Sequence, residues 1–128
     1  MLRTLCLAFI AVIGSSVFAL AIDSANIVAP ADPASVGRYT KLELEVALSG
    51  IAATQFYETR SASGGLLLAA TFVSPTSQAL TVPGYYDGAA WRVRFSPQVT
   101  GAWTFSVSAT DSSGASTLTG GSFTCVES

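Results

Sequence analysis

Apolar and polar positions alternate most regularly between residues 91 and 109, WRVRFSPQVTGAWTFSVSA. Trp91, Val93 and Phe95 alternate with Arg92 and Arg94. After a loop from Pro97 to Gly101, Trp103, Phe105, Val107 and Ala109 alternate with Thr104, Ser106 and Ser108. A period of two predicts strands with one buried face, and it puts both tryptophans of the chain on the inward side. Residues 39–48 repeat the pattern, with Leu42, Leu44, Val46 and Leu48 on one side and Lys41, Glu43, Glu45 and Ala47 on the other. Ser49-Gly50 ends that strand.

The remaining chain reads as further short strands with turn chemistry between them. Residues 24–29 (SANIVA) predict an edge strand closed by Pro30 and Pro33. Residues 30–37 form a loop. Residues 53–60 predict a third strand with Phe56 inward, and 61–65 a turn. Residues 66–73 are nearly continuously apolar, so periodicity assigns neither side to the core. Residues 79–86 follow, bent at Pro83-Gly84, and Asp87-Gly88 is a hairpin signal because tight hairpin turns need positive φ. Residues 112–116 predict a turn and 118–126 a last strand, weakened by Gly120-Gly121. No helical period follows residue 22, so the pattern predicts an all-β sandwich or barrel of seven or eight strands.

The N-terminus has a different character. Arg3 precedes an apolar run from Leu5 to Ile13, small residues follow at Gly14, Ser15 and Ser16, and Ala19-Leu20-Ala21 makes an A-x-A site. That is the pattern of a secretory signal peptide over residues 1–21, with cleavage expected after Ala21. The domain is then 22–128, of ordinary size for a two-sheet sandwich. No later apolar run is long enough to span a membrane, so none is expected after cleavage. Cys6 leaves with the leader, and Cys125 is expected as a small buried hydrophobe without a disulfide partner. With Arg3 gone, five basic residues face eight acidic ones, a net charge near −3. Such a balance gives no electrostatic footprint for nucleic acid.

Candidate chemistry is sparse. The chain has no histidine, the commonest general base and metal ligand. One remaining cysteine cannot make a thiolate zinc site. Asp87 and Asp111 read as turn acids rather than calcium ligands. No serine sits in a G-x-S-x-G motif, and no glycine-rich loop opens a helix. Glu43 and Glu45 would stand about 7 Å apart on a strand, close to the spacing of a glycosidase pair, but on one flat face rather than across a cleft. Their expected role is a cross-strand ion ladder with Arg92 and Arg94. No catalytic, metal or cofactor site is expected, and the chain reads as a non-enzyme. Tyr85, Tyr86 and Tyr57 are the aromatics open to a glycan contact, since flat rings with polar edges suit sugars. The expected role of the Tyr85–Tyr86 pair is nonetheless packing, with at least one in the sandwich and the other over its rim.

The segment Trp91-Arg92-Val93-Arg94-Phe95-Ser96-Pro97, with Gly101, Trp103, Thr104 and Phe105, resembles a particular module. It is similar to the immunoglobulin-like domain of unknown function found ahead of the barrel in secreted bacterial glycoside hydrolases. Shorter likenesses lie at Val36-Gly37-Arg38-Tyr39, Ala70-Thr71-Phe72 with Pro75, Val82-Pro83-Gly84-Tyr85 and Gly121 with Phe123. The resemblance implies an immunoglobulin-like β-sandwich of antiparallel strands, located outside the cytoplasm. It also implies a non-catalytic accessory role, packing on a glycoside hydrolase catalytic domain or assisting contact with polysaccharide. The family's catalytic barrel is not within these 128 residues, so its activity does not carry over. The segment between the strands expected over 53–60 and 66–73 is also low in charge and rich in Ala and Ser, so loop contacts of relatives do not carry over. A second reading is a free-standing structural or adhesion-type surface protein assembling through exposed strand edges.

Overall fold

The computed structural model describes residues 19–51 and 65–128. Its elements are β1 (Ala21–Ala29), β2 (Val36–Gly37), β3 (Leu42–Ser49), β4 (Leu67–Val73), β5 (Ala79–Pro83), β6 (Tyr85–Tyr86), β7 (Trp91–Phe95), β8 (Gly101–Asp111) and β9 (Gly114–Val126). One sheet has the order β1-β3-β7-β6 and the other β2-β9-β8-β4-β5. The two face each other as an immunoglobulin-like β-sandwich, and no helix occurs among the described residues. Between them lie Leu42, Leu44 and Val46 of β3, Leu68, Ala70 and Phe72 of β4, Trp91 and Val93 of β7, and Trp103, Phe105, Val107 and Ala109 of β8. The alternation read from 42–48 and 91–109 is the alternation that is buried. In β4, where periodicity is silent, Leu68, Ala70 and Phe72 turn inward and Leu67 is exposed.

Several boundaries differ from those expected, each for a local reason. The described strands number nine rather than seven or eight. Residues 79–86 are two strands in different sheets, β5 and β6, because the chain changes sheet at Gly84. The Gly84 N–H donates to Leu68 O at 2.7 Å, and a Cβ at Gly84 would sit 2.6 Å from Leu68 Cδ2. Val36–Gly37, expected within a loop, pairs with β9 in parallel, so the ladder is not wholly antiparallel. The strand expected over 24–29 begins at Ala21, paired with Ser49, and Leu20 before it is buried in the core. The strand expected from 39 begins at Leu42, since Tyr39 is exposed with φ 67°. The last strand begins at Gly114, not Leu118, because Asp111 and Gly114 pair around a two-residue turn. The strand expected over 53–60, with Phe56 and Tyr57, lies outside the described residues.

The segment 91–109 does not form one hairpin. β7 belongs to the four-stranded sheet and β8 to the five-stranded one, so residues 96–100 cross between layers. Pro97 is buried at this crossing and its carbonyl accepts the Tyr39 N–H at 2.8 Å. Trp103 donates its indole N–H to Val99 O at 2.8 Å, satisfying a loop carbonyl from within the core. Gly101 has φ 126°, and a Cβ there would meet Pro75 Cγ at 2.8 Å. Phe95 stacks on Phe72 with centroids 4.1 Å apart and meets Trp103 edge-on at 5.2 Å. Trp103 stacks on Phe123 at 5.8 Å. The W-x-V-R-F-x-P…G-x-W pattern is therefore the clasp that joins the two layers.

Candidate functional site

The chemistry-bearing side chains gather on the outer face of the four-stranded sheet. Register puts Glu43 opposite Arg94 and Glu45 opposite Arg92, as a cross-strand ladder requires. Glu43 is the centre. Its Oε1 accepts from Arg94 Nε at 3.2 Å and stands 3.5 Å from Lys41 Nζ, and its Oε2 is 3.0 Å from Arg92 Nη1. Glu45 Oε1 lies 3.6 Å from the same Arg92 nitrogen. The result is a net centred on one nearly buried carboxylate rather than two parallel rungs. Arg92 also donates from Nε to Asp87 Oδ2 at 2.8 Å.

Asp87 closes the network at the turn between β6 and β7. Its Oδ1 accepts the N–H groups of Ala90 and Ala89, each at 2.9 Å. Those two backbone donors, with Arg92, hold the Asp87 carboxyl down at about 2. Asp87 N donates to Ala90 O, so Gly88, at φ 98°, and Ala89 are the central residues of the turn. Asp111 likewise serves its hairpin, accepting the Ser113 N–H at 2.8 Å and the Ser113 hydroxyl at 2.6 Å.

Tyr85 and Tyr86 are consecutive on β6 and so lie on opposite sides of the sheet. Tyr86, paired with Trp91, packs inward at 5.3 Å between centroids. Tyr85, paired with Arg92, lies outward with the Arg94 guanidinium 5.4 Å over its ring. Both are half-buried, and they do not share one platform. Cys125 is buried beside Gly101 and Val36 on neighbouring strands, and burial pushes its thiol up from the ordinary range. Periodicity reached the ladder but missed Asp87, Lys41 and the Tyr85–Arg94 contact. A turn acid five residues before an outward arginine was the one available signal for the first.

This arrangement holds charge in place. The two glutamates share a flat face and are engaged by cations, whereas glycosidase carboxylates face each other across a sugar. Across the sandwich, the outward positions of β4, β8 and β9 carry mainly threonine, serine and alanine. There Thr71, Val73, Thr104, Ser106, Ser122 and the Gly120–Gly121 backbone line a shallow groove of about 360 Å³.

Among solved structures the chain is similar to a candidate glycoside hydrolase from Bacteroides vulgatus ATCC 8482, at 27% identity and TM-score 0.49. It is also similar to an engineered protein at 18% identity and TM-score 0.52, and to the Lin-41 filamin domain at 13% and 0.47. These alignments cover 73%, 80% and 81% of this chain. They take in 16% of the Bacteroides protein, 20% of the engineered one and 93% of the filamin domain. The engineered protein supports the fold. No curated protein matches. A family model, domain of unknown function DUF5060, matches residues 35–110, more than half the chain, from the turn before β2 to the end of β8. The protein belongs to the DUF5060 family.

Proposed function

We propose that the chain is a secreted, non-catalytic accessory module of polysaccharide-degrading systems, which docks on a catalytic domain through the outer face of its five-stranded sheet. The observation that carries this reading is the segregation of charge. β4, β5 and β9 contain no charged side chain, and β8 contains only Asp111 at its end. A neutral face of short hydroxyl and methyl groups can be covered without stripping water from an ion. Interface cores are depleted of charge for the same reason. The partner class comes from the resemblance of residues 91–105 to modules that precede glycoside hydrolase barrels.

Size-exclusion chromatography with intact-mass measurement of the natively secreted protein tests this. The expected result is co-migration with a glycoside hydrolase catalytic domain, in the same polypeptide or a separate one. For a separate partner, Thr104→Lys should release it. Migration alone, with no retention on insoluble polysaccharides, overturns the reading. Retention that disappears in Tyr85→Ala would instead assign glycan contact to the charged face. The second reading, assembly through strand edges, is favoured by β5, which is an edge strand among the described residues and has no charged residue to repel a copy of itself. Oligomers of this chain alone would support it.

A further inference from the structure

The expected leader cut after Ala21 falls inside a strand. Ala21 pairs with Ser49 and Ile22 with Leu48 in the β1–β3 ladder. Leu20 is 7% exposed and belongs to the core cluster with Val36, Leu42 and Trp91. The backbone N of Leu20 lies against Gly50, which has φ 73°, and a Cβ there would stand 2.9 Å from it. The Ile22 N–H donates to Ser116 Oγ at 3.1 Å, a part-buried tie between β1 and β9. Cutting after Ala21 would remove a core leucine and the first rung of the ladder. It would also place a charged amino group at this part-buried contact.

We propose that the processing site is the Ala19–Leu20 bond, so that the mature chain begins at Leu20. Ala19 is exposed and lies outside β1. It supplies the small residue that a signal peptidase needs immediately before the cut, with uncharged Val17 two positions earlier. A chain starting at Leu20 keeps the buried side chain and all of β1. A mature chain beginning at Leu20 keeps the whole β1–β3 ladder, whereas one beginning at Ile22 loses the Ala21–Ser49 rung.

The inference rests on the secretory part of the proposed function, and one experiment separates the two. The full precursor is expressed in a secreting bacterial host, and the exported protein is read by N-terminal sequencing and intact mass. A start at Leu20 is expected. A start at Ile22 overturns the site but not the leader, and retention of residues 1–19 overturns both. Ala21→Leu is the second arm. It alters the residue before the other candidate cut but only the second residue after this one, so processing should continue unchanged, and accumulation of precursor counts against the proposal. Leu20→Ala should lower the Tm of the exported protein by more than about 5 °C, as expected for truncating a buried leucine. An unchanged Tm means that residue 20 is not in the mature protein.

Discussion

On the outer face of β3 and β7, Glu43, Glu45, Arg92 and Arg94 interlock with Lys41 and Asp87. Across the sandwich, the outward positions of β4, β8 and β9 carry mainly hydroxyls and methyls, and Thr71 of β4 shares a hydroxyl bond of 3.0 Å with Thr81 of β5. Both faces cover the same core, so burial does not explain the contrast. On the charged face each of these acids has a cation within reach. The neutral face carries hydroxyls in place of charges, and two of them, on Thr71 and Thr81, bond each other. The first pairs its charges within itself, and the second is the face proposed above for docking.

The comparison can be broken most severely from within the neutral sheet. Gly121 pairs with Phe105, and a Cβ there would stand 2.3 Å from the Phe105 ring. Gly121→Leu should destabilise by about 3 kcal/mol through overpacking, read as a fall in the denaturant midpoint. On the charged face, Glu43→Ala should cost about 2 kcal/mol, because a nearly buried acceptor of charged hydrogen bonds is lost. With Arg94→Ala in a double-mutant cycle, a coupling of about 0.5–1 kcal/mol is expected. Strict additivity would remove the ladder as a source of stability.

Smaller effects sharpen the contrast. The folded Asp87 carboxyl titrates at about 2, below its unfolded value of about 3.9. Its contribution is therefore fully present above about pH 4 and lost as the pH falls toward 2. Asp87→Asn should flatten that acid limb in a pH series of unfolding midpoints while leaving the neutral-pH side little changed in slope. Thr104→Ala, on the opposite face, should change stability by less than about 0.5 kcal/mol at any pH. A larger loss would show that the neutral face is structural rather than free for contact.

Much of the charged face was legible in the chain. Alternation put Glu43 and Glu45 outward on one strand and Arg92 and Arg94 outward on another, and opposite charges invited pairing. Their register was not legible, nor the diagonal reach of Arg92 to Glu43, because both depend on how two strands distant in sequence are laid side by side. Tyr85 and Tyr86 show the same limit. A two-residue strand has too few positions for a period, so only pairing with β7 decided that Tyr86 packs on Trp91 while Tyr85 lies under Arg94.

By itself the sequence determined the all-β class, the inward residues of β3, β7 and β8, and the turn acids, since each follows from local periodicity or local hydrogen bonding. It also carried the clasp of Trp91, Pro97, Gly101 and Trp103 as a recognisable pattern. Tertiary structure alone decided that this clasp joins two sheets rather than closing a hairpin, that residues 79–86 split at Gly84, and that Leu20 is core. The reason is physical. A period of two says which side of a strand is buried, but sheet membership depends on long-range pairing and on backbone contacts such as Gly84 with Leu68, which leave no trace in the alternation.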